Sequence, residues 1–249
     1  MITRRMTLAG LLALGLAPGV ALAQDDSASA LAEADRLWKT RDAGSSAQTA
    51  ITVLERALKT DPQNYDVCWN LARFHYWQAS GATNTDVKAR HGKAGWDYAE
   101  KAKRINPGGV DGYYWAAANI GAYSNGHGIV TALKEGLGDK FQQNAEKAAQ
   151  INAAHDDAGP LRALGRFHFS LPWPLKDLDK SRDYLSRALK IAPNSAINLY
   201  YMADLEREEG NDAAARALLQ KVIGLNPGAG DGPMIRKHQR LSKQMLAEL

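Results

Sequence analysis

Small and apolar side chains recur along this sequence at spacings of four and then three positions, and a helix terminator follows five positions later. Ala50, Leu54, Ala57 and Pro62 form the first such run. The same spacing returns in 95–107, 181–193 and 215–227, each ending in proline, and in 141–153, which lacks the proline. Residues spaced in this way share one face of a helix, and proline cannot continue a helix. Each run therefore predicts an amphipathic helix followed by a turn.

A second motif marks the helices that precede these runs. The hexapeptide LARFHY at 71–76 returns as LGRFHF at 164–169. Ala72, Gly165 and Ala203 stand in register, and small side chains at this position let two helices approach closely. Two such helices in a unit of about 34 residues resemble the tetratricopeptide repeat. We therefore predict an all-α fold, a tetratricopeptide-repeat solenoid of about five helix pairs.

The boundaries of the repeats follow from the positions of the prolines. Repeats are predicted near residues 31–64, 65–109, 110–155, 158–195 and 196–229, in one domain that spans 24–249. The middle three are longer than the unit requires, and residues 80–93 are expected to form a polar loop. Residues 231–249 predict a C-terminal cap helix with Asp231 near its N-cap and a solvating, basic stretch.

The N-terminal segment, residues 1–23, has a different character. Arg4 and Arg5 precede an apolar run over 8–20 and the tripeptide Ala-Leu-Ala at 21–23, which is the order found in a cleaved secretory signal. We predict cleavage before Gln24 and a mature protein that is periplasmic or secreted, exported by the general or the twin-arginine route. No cysteine follows the apolar run, so no lipid anchor is expected at this boundary.

Composition removes several function classes. Without Arg4 and Arg5, the 31 basic residues become 29 against 27 acidic ones, a net charge of +2 that lacks the excess typical of nucleic-acid binding. Cys68 is the lone cysteine, so no intramolecular disulfide is expected. No apolar window long enough to span a membrane follows Gln24.

Candidate catalytic chemistry is sparse. His127 lies between two glycines, and His75 and His168 occupy equivalent repeat positions, but none has converging partners at helical spacing. Three aspartates stand near predicted helix starts, where carboxylates cap free amides: Asp66, Asp111 and Asp156. We therefore predict no metal site, no cofactor and no enzymatic activity.

The middle of the chain departs most from a standard repeat. An aromatic-rich helix is predicted over 110–123, glycines at 126 and 128 end it, and an extra apolar helix follows. A rigid Pro-Trp-Pro element at 172–174 interrupts the fourth repeat. An inserted apolar helix must bury its face against other repeats or around a ligand. The candidate ligand- or partner-binding residues are Tyr113, Tyr114, Trp115, Asn119, Tyr123, Ile129, Leu133 and Trp173. Core packing is the alternative for the aromatic ones.

The same region resembles two known families. The motifs that carry the first resemblance are Gly112-Tyr113-Tyr114-Trp115, Asn119, Gly121, Gly128-Ile129, Ala132-Leu133, LRALGR at 161–166 and Pro172. They are similar to TatT proteins, the periplasmic T component linked to tripartite ATP-independent periplasmic (TRAP) transporters, over roughly residues 60–227. With Trp96 and residues 141–148, the block at 112–133 is also similar to the regulator of microtubule dynamics proteins, whose repeat domain is associated with microtubules and, in one branch, with phospholipid binding.

These resemblances imply the repeat fold with its extra helix. The TatT resemblance further implies a scaffold that associates with a periplasmic solute-binding protein, forms a homo-oligomer such as a trimer, and contains an apolar channel for a hydrophobic ligand. Three hypotheses stay open: a scaffold for that solute-binding protein, a carrier of a lipid or hydrophobic small molecule, and an envelope-assembly scaffold without a ligand. Export argues against a cytoskeletal role.

Overall fold

The computed structural model describes residues 18–249, with side chains from residue 26 onward, and this part of the chain contains helices and no strand. The helices are α1 (Pro18–Trp38), α2 (Ser46–Thr60), α3 (Tyr65–Gly81), α4 (Thr85–Ile105), α5 (Val110–His127), α6 (Ile129–Lys134), α7 (Leu137–Asn152), α8 (His155–Ser170), α9 (Leu178–Ile191), α10 (Ala196–Glu208), α11 (Asp212–Ile223) and α12 (Gly232–Glu248). A short 3₁₀ turn, Pro227–Ala229, precedes α12. The all-α prediction is confirmed.

The helices pack in sequential pairs that form a tetratricopeptide-repeat solenoid. Helix α1 packs on α2, α3 on α4, α5 on α7, α8 on α9, and α10 on α11. The large apolar residue of the spacing motif is buried in the second helix of these pairs, as Leu54, Leu185 and Leu219 show. Burial of this one face is what stabilises each amphipathic helix, because helices of this length are marginal in water alone.

The third pair contains the predicted inserted helix. Gly128 has a φ of 100°, which a residue with a side chain adopts only with strain, and it ends α5 and begins α6. Helix α6 has only six residues and is followed by another left-handed glycine, Gly136, before α7. At the C-terminus, α12 packs on α10 and α11 as a cap, with Asp231 at its N-cap accepting from the Met234 amide.

The predicted polar loop at 80–93 is wrong, because helix α4 already begins at Thr85. The Asn84 side chain accepts a hydrogen bond from the Val87 amide at 3.0 Å and caps this helix. The additional turns pack tightly on α5: a Cβ at Gly92 would lie 2.5 Å from the backbone nitrogen of Tyr123. A polar sequence that carries glycine on one face can therefore pack as a helix where its composition suggests a loop.

The predicted aspartate caps are also wrong in detail. The N-cap residue of α3 is Asn64, and Asp66 lies in the first turn after it. The N-cap residue of α5 is Gly109, and Asp111 lies in the first turn after it. The third aspartate, Asp156, lies in a left-handed turn at the start of α8, where it accepts hydrogen bonds from Tyr114 and Arg162 rather than from backbone amides.

The first and last parts of the described chain contact each other. The Arg41 guanidinium, in the turn after α1, donates to the Asp231 carboxylate at 2.5 Å, and Arg236 of α12 donates to Asp42 at 2.7 Å. The buried Arg41 guanidinium also lies 3.8 Å from the ring centroid of Trp38. These contacts join the first repeat to the cap helix.

Within residues 18–249, no helix has both the length and the apolar character needed to cross a membrane. Residues 1–17 of the predicted signal segment lie outside the described residues. Helix α1 begins at Pro18 and continues through the predicted cleavage position at Gln24.

Candidate functional site

A cavity of about 1050 Å³ lies on the concave side of the solenoid. The first helices of the second to fifth pairs (α3, α5, α8 and α10) contribute to its wall, together with α6, the start of α7, and the cap helix α12. Its apolar and aromatic lining residues include Tyr76, Tyr114, Ile129, Ala132, Leu133, Leu137, Phe141, Phe167, Phe169, Ile197, Tyr200, Tyr201, Met234 and Leu241.

The inserted helix gives this cavity much of its apolar wall. Ile129, Ala132 and Leu133 of α6 line it, and Leu137 follows at the start of α7. Val130 of the same helix is 57% exposed and does not line the cavity. Helix α6 therefore turns one apolar face toward the cavity and exposes Val130 on another face.

Four of the eight predicted site residues line the cavity: Tyr114, Ile129, Leu133 and Trp173. Tyr114 is buried, and its hydroxyl donates to Asp156 at 2.6 Å. Trp173 is 88% exposed and lies at the lip of the cavity. The lip therefore presents apolar surface to solvent.

Two of the other four residues belong to the packed interior. Trp115 is buried with its ring 6.4 Å from that of Trp38 and 5.7 Å from that of Tyr76. Asn119 is fully buried, and its Nδ2 donates to the carbonyl oxygens of Ala72 and Trp115. Both side chains hold α5 against its neighbours, away from the cavity.

The remaining two residues lie on other faces of α5. The Tyr113 hydroxyl donates to the carbonyl oxygen of Pro107, on the side of the preceding turn. The Tyr123 ring stacks on His127, with centroids 5.0 Å apart and an interplanar angle of 14°. Neither lines the cavity, although both are only half-buried.

Several lining residues come from parts of the chain that the sequence did not single out. Tyr200 and Tyr201 are adjacent on α10, and both line the cavity. The cap helix was expected to be solvating, yet it turns Met234, Lys237 and the buried His238 toward the cavity. The adjacent tyrosine pair could have indicated a binding surface on α10. The orientation of α12, in contrast, depends on contacts between the cap helix and the first repeats, which the sequence of α12 does not contain.

Arg162 forms the centre of a polar network in the cavity wall. Its guanidinium donates to the Asp156 carboxylate at 2.8 Å, the Tyr114 hydroxyl at 2.7 Å and the Asn198 Oδ1 at 3.1 Å, and also to the main-chain oxygens of Asp156 and Asp157. Burial disfavours the Arg162 cation, but Tyr114 and Asp156 outweigh this effect and raise its pKa. The network links the third, fourth and fifth helix pairs around a permanently charged guanidinium.

Of the histidines singled out in the sequence, His75 and His168 are buried, whereas His127 is exposed. The Nδ1 atoms of His75 and His91 lie 3.0 Å apart, and burial, with the nearby His91, lowers the pKa of His75 to about 4. His168 stacks on Tyr184, and His127 contacts Glu135 at 3.2 Å. Among the described residues, no three His, Cys, Asp or Glu side chains converge in a way that could hold a metal ion.

Two solved structures show the same architecture. The tetratricopeptide protein TTC0263 of Thermus thermophilus is similar with a TM-score of 0.65 and 18% identity, over 90% of this chain and 99% of that one. PilF of Pseudomonas aeruginosa is similar with a TM-score of 0.56 and 14% identity, over 91% of this chain and 89% of that one. Identities this low support the fold alone.

Family models give a more specific result. A tetratricopeptide-repeat model matches residues 198–229. No protein of curated function matches the chain in sequence. The model described as regulator of microtubule dynamics protein 1-3 matches residues 30–172, which is more than half of the chain and includes α6. The chain therefore belongs to the regulator of microtubule dynamics protein 1-3 family.

Proposed function

We propose that this chain is an exported tetratricopeptide-repeat scaffold whose concave cavity holds a hydrophobic or amphipathic ligand. The observation that carries the proposal is the cavity of about 1050 Å³, with α6 as an apolar wall. Sites for small ligands typically enclose about 300–1,000 Å³ and are lined mainly by apolar and aromatic side chains with a few polar groups. This cavity is slightly larger than that range, which suits a molecule with a long hydrocarbon chain.

The expected energetics make the proposal quantitative. Burying one methylene group contributes about 0.8 kcal/mol, so each additional methylene in the cavity should tighten binding roughly fourfold. Association itself costs roughly 4–15 kcal/mol in lost freedom. Short alkyl chains should therefore bind weakly, and affinity should rise with chain length until the cavity is filled.

The test combines identification of the ligand with two variants of the inserted helix. Native mass spectrometry of the full chain, exported by its own N-terminal segment and recovered gently from the periplasm, should show an adduct of lipid-like mass. Leu133→Asp places a charge on the cavity wall and should remove the adduct. Val130→Asp changes an exposed residue of the same helix and should retain it.

Two results would count against the carrier function. One is a chain that carries no adduct and shows no chain-length dependence with added alkyl probes. The other is equal ligand loss in both variants, which would mean that α6 responds to charge in general and not to the cavity face. Circular dichroism of both variants should show unchanged helical content, so that unfolding is not mistaken for ligand loss.

A second candidate function, a partner scaffold, is favoured by the apolar lip. Trp173 exposes 88% of its surface, and exposed tryptophan is enriched among residues that dominate protein interfaces. Tetratricopeptide solenoids use extended surfaces of this kind to bind other proteins. Following the TatT resemblance, we propose a TRAP-type periplasmic solute-binding protein as the partner and the lip as the contact.

Partner binding and ligand binding can be separated experimentally. Trp173→Ala should reduce co-purification of a solute-binding protein while the adduct in the cavity remains. Leu133→Asp should give the opposite pattern. If Trp173→Ala leaves the partner bound, the lip is not the contact. Failure to recover any solute-binding protein with the parent chain would contradict the TRAP association.

Membership in the regulator of microtubule dynamics family does not settle the cellular role. An exported chain of bacterial type would meet no microtubules, so we take from the family the fold and not a cytoskeletal function. Localisation of the chain in a cell fractionation experiment decides the point. Recovery in the cytoplasm with residues 1–23 intact would contradict the export on which the periplasmic partner depends.

A further inference from the structure

The charged residues that line the cavity are all basic. The part of the chain described by the structure contributes five cationic side chains to the lining and no aspartate or glutamate. The cations are Lys88, Arg162, Arg166, Lys176 and Lys237. The whole chain has 31 basic and 27 acidic residues, so composition alone does not explain this asymmetry. The cavity concentrates positive charge.

Three of these cations already have carboxylate partners. The pairs are Arg162 with Asp156 at 2.8 Å, Arg166 with Asp204 at 2.5 Å, and Lys176 with Glu208 at 2.6 Å. Within residues 26–249, Lys88 and Lys237 have no acidic side chain within 4.0 Å. They are the lining cations that are free to pair with a ligand.

Lys237 is the better placed of the two. Its Nζ donates to the carbonyl oxygen and the hydroxyl oxygen of Ser80, at 3.2 and 3.0 Å, and lies 5.1 Å from the centroid of the Trp77 ring. An ammonium group has three N–H donors, so one remains after both contacts with Ser80. Buried charges in proteins are normally paired, because removing an ion from water is costly. A half-buried ammonium with neutral partners and one remaining donor suits an anionic ligand atom.

The apolar wall and this cation belong to one cavity. Helix α6 provides Ile129 and Leu133, while Lys237 comes from α12 at the other end of the chain. An amphiphile can therefore place its hydrocarbon chain against α6 and its head group against Lys237. A neutral head group would gain only an ordinary hydrogen bond from Lys237, whereas an anion would gain a charge-assisted one.

We propose that the cavity selects amphiphiles with an anionic head group, a carboxylate or a phosphate, and that Lys237 recognises that head group. This inference rests on the proposed carrier function and specifies the class of its ligand. Lys237 acts as a binding residue, and selectivity arises because an anion compensates the charge that the folded chain leaves unpaired.

The test compares three probes with the same hydrocarbon chain: palmitate, hexadecyl phosphate and hexadecanol. Isothermal titration calorimetry with the full chain should show that the anionic probes bind at least tenfold more tightly than the alcohol. Lys237→Met keeps the length and packing of the side chain and should reduce this preference to within about twofold, while hexadecanol binds as before. The ranking of palmitate and hexadecyl phosphate distinguishes a carboxylate ligand from a phosphate one.

Two control variants make the assignment specific. Lys243→Met removes an exposed lysine of the same helix and should keep the full preference. Lys237→Met should unfold at a temperature no lower than the parent, so a loss of preference cannot be attributed to misfolding. Equal binding of the three probes by the parent would overturn the inference and leave the carrier function standing. Loss of the preference in Lys88→Met instead would overturn the role of Lys237, and failure of all probes to bind would overturn both proposals.

Discussion

Arg162 offers the sharpest test of how the helix pairs around the cavity are held together. Arg162→Met keeps a flexible, unbranched side chain but removes every donor of the guanidinium. The substitution leaves the Asn198 Oδ1 and the main-chain oxygens of Asp156 and Asp157 without the hydrogen bonds that Arg162 donates. It also removes the ion pair with the Asp156 carboxylate.

The magnitude follows from burial. Breaking a buried ion pair by removing one partner costs about 3–5 kcal/mol, and a hydrogen bond to a charged group contributes about 1.5–3 kcal/mol. The Arg162 side chain is 6% exposed, but that of Asp156 is 37% exposed, so water can solvate the carboxylate that remains. We therefore expect the lower end of the range, a loss of about 3 kcal/mol in the free energy of unfolding.

Urea denaturation followed by circular dichroism measures this loss as a lower midpoint at an unchanged slope. Arg187→Met is the matched control, because the pair of Arg187 with Asp183 is exposed and should contribute less than about 0.5 kcal/mol. A loss below about 1 kcal/mol in Arg162→Met would refute the network as a link between helix pairs. An equal loss in both variants would indicate a general effect of removing arginine.

Three further predictions concern single residues. Asp157 adopts a left-handed φ of 54°, a conformation that costs a non-glycine residue about 1–2 kcal/mol. After subtraction of the greater freedom of glycine in the unfolded chain, Asp157→Gly should raise the free energy of unfolding by about 1 kcal/mol. A lower urea midpoint would contradict this. Trp115→Ala should lose about 3–5 kcal/mol because the ring is buried, whereas Trp173→Ala should melt within a degree or two of the parent. Burial, with Arg41 and Arg240 nearby, lowers the pKa of Lys237 from 10.5 to about 8. The unfolded chain therefore holds more protons between these values, so the folded lysine costs about 3 kcal/mol below pH 8 and nothing above its unfolded pKa. The stability advantage of Lys237→Met should accordingly disappear between about pH 8 and 10.5, and a pH-independent difference would contradict the lowered pKa of Lys237.

The fold was predictable because the information that specifies it is local. Each second helix carries its buried face as a spacing of four and three within a dozen residues, and Leu54 and Leu219 are fully buried as that spacing requires. Helix α4 is the exception, since its polar first turns become helical through the Asn84 cap and the close packing of Gly92 on α5. A composition-based prediction does not include those tertiary contacts.

The site was predictable only in part, because helical spacing gives the neighbours on a helix and not the direction in which that face points. Tyr114 and Trp115 are adjacent, yet Tyr114 lines the cavity while Trp115 packs between Trp38 and Tyr76. Trp38 comes from another repeat, so no window of sequence around α5 contains the reason. Lys237 was missed for a similar cause: its orientation depends on contact between the cap helix and α3.

The wall of the cavity combines the repeats with two elements that a tetratricopeptide repeat does not require, α6 and α12. A tetratricopeptide groove lined only by repeats presents an extended open surface. Here α6 supplies apolar wall from the third repeat, and the contact of Asp231 with Arg41 brings α12 against the first repeat. The cavity is therefore bounded by more apolar surface than the repeats alone provide, and Trp173, which is 88% exposed, lies at its lip. Under the proposed function, a hydrocarbon chain contacts α6 whereas a partner contacts Trp173, so Leu133→Asp and Trp173→Ala test the two roles separately.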